Sequence, residues 1–170
     1  MGNRIKSKLP KLTTPEIEVA IAKYFGIRKH IIVPNLSWGF FNHELDLFLI
    51  RKSGYGFEVE IKRSKSDLLA DFNKGHNHMD RKNRIVQLYY AFPAELLPKI
   101  EEYVPLDCGI IIVERYEWND KYYNRASIHR EAKRRKNVKP LTKEEQFKIA
   151  RLGTLRIWSL KEKLNKLKRL

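Results

Sequence analysis

Residues 43 to 62 decide the expected fold, and they read HELDLFLIRKSGYGFEVEIK. The first eight and the last eight residues of this stretch alternate as strands do, and the four residues between them favour a turn. A hairpin whose turn is centred on Ser53 would place position 46 opposite position 60. Asp46 and Glu60 are therefore predicted to be cross-strand neighbours on one face, with Lys62 two residues further along that face.

This predicted arrangement indicates a metal site. Two carboxylates placed opposite each other repel, so such a sheet needs a compensating cation. Lys62 would neutralise them in part, and Mg²⁺ would do so more fully, since it takes hard oxygen ligands and commonly one or two carboxylates. We expect Mn²⁺ to substitute for Mg²⁺. A metal there would activate water and neutralise charge on a phosphate, which predicts phosphodiester hydrolysis with Asp46, Glu60 and Lys62 as catalytic residues.

Outward from the hairpin, the patterns predict an α/β fold of the mixed-sheet (α+β) type. A capping box formed by Thr13 and Glu16 begins a one-sided helix. Further strands are predicted at 85 to 92 and 108 to 115, and helices from residue 124 onward. The expected organisation is a flexible basic arm (1–12), a core with a central sheet of four to five strands flanked by helices (13–120), and a basic helical extension packed on the core (121–170).

The charge of the chain points to a polyanionic partner. The net charge is +15, and residues 121 to 170 hold 17 Lys and Arg against 4 Asp and Glu. A concentrated cationic surface attracts phosphate backbones, so nucleic acid is the expected partner. No apolar run reaches the roughly 18 residues of a membrane span, and no secretory signal is recognised, which predicts an intracellular protein without a membrane partner. The single cysteine, Cys108, is expected to be a buried apolar residue.

The motif then resembles a known superfamily. Asp46 followed by Glu60-Ile61-Lys62 on the next strand is similar to the signature of the PD-(D/E)XK nucleases, which have the restriction-endonuclease-like fold. The run 58 to 67 (EVEIKRSKSD) and the run 88 to 93 (LYYAFP) resemble a group of small nucleases of the MmcB-like type. The resemblance covers about residues 13 to 115. Leu45 stands where the superfamily's name has proline.

The resemblance implies roles for further residues. Asp46 and Glu60 would bind metal and Lys62 would serve catalysis. An acidic residue of the first helix would join the metal ligands, which we match to Glu18, with Glu16 as the rival. Gln87 would be an auxiliary residue after the third strand. Glu58 shares the face and is a second auxiliary candidate.

Basic and histidine residues outside the motif predict the nucleic-acid contacts, with DNA as the expected substrate in repair or in a mobile element. The candidates are Lys65, Lys74, His76, His78, Arg81, Lys82, Arg84, Arg134, Arg135 and Lys136. Two other functions stay open: a binding module of the same fold that does not cleave, and a zinc-dependent protein built on His76 and His78. A homodimer also stays open, although the sequence shows no clear stripe of residues for a dimer interface.

Overall fold

The computed structural model describes residues 9–37, 41, 44–73 and 84–168. Within them, a mixed sheet of six strands has its strands in chain order. The strands are β1 (Ile31–Leu36), β2 (Leu45–Ile50), β3 (Gly56–Ile61), β4 (Ile85–Pro93), β5 (Gly109–Trp118) and β6 (Lys121–Arg130). The helices are α1 (Thr14–Phe25), α2 (Lys65–Asn73), α3 (Leu97–Ile100) and α4 (Lys143–Leu167). The mixed α/β class is as predicted, but the sheet has more strands than the four to five expected.

The directions of the strands bring several strand ends together at one edge of the sheet. β3, β4 and β5 run parallel to one another, whereas the other neighbouring pairs are antiparallel. The carboxyl ends of β3, β4 and β5 therefore meet at one side of the sheet, which we call the carboxyl edge. Because β2 is antiparallel to β3, the first residues of β2 lie at the carboxyl edge too.

The helix α1 begins where its capping signal predicts. The backbone N–H and the hydroxyl of Thr13 each donate to Oε2 of Glu16 at 2.8 Å. Ile17, Ala20 and Ile21 are buried against the sheet. Of the arm predicted to be flexible, residues 1–8 lie outside the described residues. Its last part is packed: Leu12 is buried, since its apolar side chain joins the core cluster beneath α1.

The two faces of the sheet are covered differently. Odd-numbered residues of β3, such as Phe57 and Val59, belong to a core cluster with α1. On the other face, one apolar cluster around Phe48 packs on α4, and another around Tyr90 packs on α2 and α3. Glu58 pairs with Phe48 on one side and with Leu88 on the other. A seam of acidic side chains therefore lies between two apolar clusters.

The predicted helix after residue 124 is wrong at its start. β6 pairs with β5 along its whole length, from Trp118 opposite Lys121 to Ile110 opposite Arg130. Asn119 and Asp120 form a two-residue turn with positive φ angles of 49° and 57°, the conformation that suits a tight hairpin. Pairing with a neighbouring strand overrides the weak local preference for helix. Helix returns at α4, whose N-terminus carries the capping box of Thr142 and Glu145.

None of the helices in the described ranges combines the length and apolarity that crossing a bilayer requires.

Close packing at the start of β5 gives a first prediction. A Cβ atom added at Gly109 would press on the Tyr89 ring and lie 2.8 Å from the backbone nitrogen of Ala132. We expect Gly109→Ala to lower the free energy of unfolding by about 1–3 kcal/mol through overpacking, measured by urea denaturation. At Gly153 in α4 the nearest atoms to an added Cβ all belong to the Val33 side chain, and the closest is a methyl at 3.3 Å. Gly153→Ala should stay within about 1 kcal/mol of the natural protein; equal losses in both variants would contradict the packing.

Candidate functional site

Asp46 and Glu60 meet at the carboxyl edge, in the register that the sequence predicts. Leu47 pairs with Val59, and the same antiparallel register carries Asp46 to Glu60. Oδ2 of Asp46 accepts a hydrogen bond from the backbone N–H of Ile61 at 2.8 Å. This bond holds the Asp46 carboxyl beside the last residues of β3.

Lys62 joins this pair immediately after β3. Its backbone N–H donates to the carbonyl of Ala91 at 2.9 Å, which continues the pairing with β4. Its Nζ lies 3.4 Å from Oε2 of Glu60 and 3.0 Å from Oδ1 of Asp71. The amine is therefore held between two carboxyl groups, although only 6% of the residue is exposed.

Asp71 is a member of the site that the sequence interpretation missed. It lies on α2 and is buried, at 8% exposed. The available signal was helical spacing: Leu68, three residues earlier, is fully buried, so position 71 faces the sheet as well. A charged residue on the buried side of a short helix indicates a partner within the fold, and Lys62 is that partner.

Burial and crowding change the acidity of the carboxyl groups. The pKa of Glu60 is raised to about 8 by burial, and then by Glu58, which shares a hydrogen bond with it and repels its charge. The pKa of Asp46 is raised to about 6 by burial and by the charge of Glu60. Glu58 is 0% exposed. At neutral pH this cluster therefore holds fewer negative charges than its number of carboxyl groups.

Lys62 keeps its charge in this setting. Burial acts to lower the pKa of its amine, but the charges of Glu60, Asp71 and Asp46 outweigh burial and raise that pKa above its ordinary value. A protonated amine can donate hydrogen bonds and stabilise negative charge, but it cannot accept a proton. The side chain is therefore suited to electrostatic stabilisation and not to general-base chemistry.

The two rival acidic residues of α1 have different surroundings. Glu16 caps the helix with Thr13 and forms an ion pair with Arg115, and Thr13 is the main cause of its lowered pKa. The pKa of Glu18 is raised, by burial and then by the charge of Asp46. Glu18 thus faces the Asp46 end of the site, whereas Glu16 is committed to the helix start.

Gln87 lies on the other face of the sheet from the carboxyl groups. It pairs with Phe57, after a register shift at the start of β3, and Phe57 packs beneath α1. Its side-chain oxygen accepts from Arg51 at 2.6 Å and its amide donates to the carbonyl of Ala132 at 2.8 Å. Its hydrogen bonds tie β4 to the segment after β6, so the structure does not bring Gln87 to the site.

The residues predicted to bind nucleic acid differ in where the structure places them. Lys74, His76, His78, Arg81 and Lys82 lie outside the described residues. Arg84 forms an ion pair with Glu145 at 2.7 Å and so holds the start of α4. Arg134 stacks over Tyr55, while Arg135 donates its backbone N–H to Val86 and is followed by the exposed Lys136.

These contacts place the described basic candidates at two opposite edges of the sheet. Tyr55 and Val86 lie at the amino ends of β3 and β4, so Arg134 and Arg135 are at the edge of the sheet opposite the carboxyl edge. Lys65, at the start of α2, lies near the carboxyl edge, where its amine donates to the Tyr103 hydroxyl at 2.7 Å.

Cys108 is buried, and burial raises the pKa of its thiol to about 12.

Asp46 and Glu60 are the residues of this edge that could hold a magnesium ion, one that keeps much of its water. Among the described residues, no group of three His, Cys, Asp or Glu side chains converges as a ready-made metal site, so Glu18 does not complete a cage with Asp46 and Glu60. No amide, hydroxyl or cationic donor of the described residues reaches the buried Oε1 of Glu60. Two neighbouring carboxyl groups, one with a buried oxygen lacking such a donor, match the one or two carboxylates that Mg²⁺ commonly takes.

Comparisons with known proteins show the fold and do not name a function. The chain is similar to a solved protein of unknown function from Silicibacter pomeroyi, with a TM-score of 0.60 and 16% identity. The similarity covers 94% of this chain and 96% of that one. At this identity the similarity is one of fold. No family model and no curated protein matches the chain.

Proposed function

We propose that this protein is a metal-dependent nuclease of the PD-(D/E)XK type, with a restriction-endonuclease-like core, that hydrolyses phosphodiester bonds of DNA. The observation that carries the proposal is the meeting of Asp46, Glu60 and Lys62 at one edge of the sheet. Such a cluster of buried charges is costly for a fold. Strongly perturbed carboxyl groups beside a buried amine are typical of functional sites.

The residues of the chain have separable roles in this proposal. Asp46 is oriented by the backbone of Ile61 and, with Glu60, would hold Mg²⁺ or Mn²⁺. The bound metal would supply an activated water and charge neutralisation at the phosphate. Lys62, protonated and held by Glu60 and Asp71, would donate to a phosphate oxygen and stabilise the charge that grows there. Asp71 would position that amine.

The test is cleavage with matched variants. Supercoiled plasmid and single-stranded DNA are incubated with the protein and Mg²⁺, Mn²⁺ or EDTA, and the products are separated on gels. We expect metal-dependent cleavage that Asp46→Asn lowers by at least about 100-fold, because the change removes a ligand charge while conserving the shape of the side chain. Glu102→Gln removes an exposed charge that is not part of the cluster of Asp46, Glu60 and Lys62, and it should leave cleavage unchanged. DNA binding without cleavage under every metal would instead support a binding module.

A further inference from the structure

The hairpin of β5 and β6 extends beyond the rest of the sheet at the carboxyl edge. The last pair between β4 and β5 is Pro93 with Val113. Beyond it, residues 114 to 118 pair only with residues 121 to 125 in the described part of the chain. The tight two-residue turn keeps this extension a regular ribbon. The sheet thus presents an exposed two-stranded arm beside the candidate site.

One face of this arm carries a row of exposed aromatic rings, which we call the aromatic ladder: Tyr116, Trp118 and Tyr123. Tyr116 is paired with Tyr123, and their rings are stacked at 5.7 Å between centroids with 21° between planes. Trp118 is 65% exposed and lies opposite Lys121. A cross-strand pair can stabilise a hairpin, which accounts for the tyrosines. It does not account for an exposed tryptophan whose cross-strand partner is a lysine.

The aromatic ladder lies on the same face of the sheet as the carboxyl groups. Side chains alternate between faces along a strand. Glu60 pairs with Tyr90, and Tyr90 pairs with Ile110. Even-numbered residues of β5 therefore share the face of Glu60, and Tyr116 and Trp118 are among them. By strand geometry, Tyr116 lies roughly 17 Å along β5 and about 10 Å across from the end of β3.

Two adjoining cavities form a groove from the residues that follow Lys62 to Tyr116 of the aromatic ladder. One cavity of about 660 Å³ is lined by Arg63 and Ser64, which directly follow Lys62, and it continues to Lys99 and Arg115. A second cavity contains Tyr116 and Arg125, and the two cavities share Glu95 and Arg115. Because Glu16 engages Arg115, the cations of the lining that remain are Lys11, Arg63, Lys99 and Arg125, against Glu95 and Glu114. The excess of cations suits a phosphate backbone.

We infer that the chain binds single-stranded or unpaired nucleic acid, with bases stacked on the aromatic ladder and the backbone following this groove to Asp46, Glu60 and Lys62. A duplex does not fit the ladder, because paired bases stack on each other and leave no face for a protein ring. Aromatic rings beside a cationic groove are the means by which proteins hold single strands, at sites of about 4 to 16 nucleotides. The placement of the strand at the carboxyl groups rests on the proposed nuclease function, but the binding does not.

The experiment measures binding and cleavage separately. In EDTA, where metal-dependent cleavage is absent, the full chain is titrated into a labelled single strand of about 20 nucleotides and into the matching duplex, and fluorescence anisotropy is read. We expect tighter binding of the single strand and a weakening of about 5- to 100-fold in Trp118→Ala, the range for loss of one stacked base. Trp118→Phe should retain most of the affinity. Quenching of tryptophan fluorescence by the single strand should disappear in Trp118→Ala.

The matched control is Trp158→Ala, which removes a tryptophan of similar exposure, 58%, from α4. It should bind the single strand as the natural protein does. Equal affinity of Trp118→Ala and the natural protein, or equal losses in both tryptophan variants, would overturn the inference. If binding depends on Trp118 but no metal supports cleavage, the proposed nuclease function fails and the inferred stacking on the aromatic ladder stands. If the natural protein and Trp118→Ala cleave a single strand equally fast, the inferred stacking on the aromatic ladder fails and the proposed nuclease function stands.

Discussion

Lys62→Met is expected to lower the initial rate of metal-dependent DNA cleavage by at least about 100-fold. Methionine fills a similar volume but removes the amine that lies 3.4 Å from Glu60 and 3.0 Å from Asp71. The phosphate would lose a charged donor, and the carboxyl groups would lose their neighbouring cation. The assay is plasmid nicking and single-strand cleavage over time with Mg²⁺ and with Mn²⁺.

The variant should still fold, because its carboxyl groups can take up protons. Removal of the cation raises the pKa values of Glu60 and Asp46 further, so these groups are neutralised and do not remain buried as charges. Circular dichroism and the unfolding midpoint check this. Lys139→Met, a change at an exposed lysine, serves as the control for charge. Full activity in a folded Lys62→Met protein would remove the lysine from the mechanism.

The second large effect is on the pH dependence of stability. Glu60 has a pKa of about 8 in the folded chain against an ordinary value of 4.5. Between these values the folded protein holds a proton that the unfolded chain has released, so the free energy of unfolding falls as pH rises. Asp46 adds the same sign between 3.8 and about 6. Without metal, the protein should therefore be less stable at about pH 8.5 than at about pH 5.

Glu60→Gln isolates the contribution of one carboxyl group. Glutamine has nearly the same shape but does not ionise, so the decline in stability between about pH 6 and about pH 8 should flatten. The measurement is urea denaturation in EDTA across that range, with the exposed Glu102→Gln as control. Superimposable pH profiles for the natural protein and Glu60→Gln would show that Glu60 does not hold a raised pKa. Added Mg²⁺ should stabilise the natural protein at high pH more than the variant, since it binds the folded state.

The register of the candidate site was predictable because it depends on local features. Alternating apolar residues define two strands, and a short polar turn between them fixes which residues are opposite. A count along the chain therefore placed Asp46 across from Glu60, and the structure has the same register. The sequence alone does not separate Glu18 from Glu16. Both occupy the first turns of α1, and only the packing of the helix shows that Arg115 engages Glu16.

The sequence interpretation is wrong where long-range contacts decide the local structure. Residues 121 to 130 contain charged and aromatic residues without a strong period, and their pairing with β5 made them a strand. Gln87 was matched by its order along the chain, but a register shift beside Phe57 and the packing of α1 decide which face it occupies. The exposed rings of the β5–β6 hairpin point to a binding surface only because the fold places them at the carboxyl edge, beside the candidate site.

The sequence by itself determined the β2–β3 hairpin, the capped start of α1 and the meeting of two carboxyl groups with an amine, since each depends on residues close along the chain. Only the tertiary structure decided that Asp71 holds Lys62, that Glu58 is wholly buried, and that the aromatic ladder shares a face with the site. The physical reason is that these relations join different elements of secondary structure. They are set by strand direction and helix packing, which no local pattern encodes.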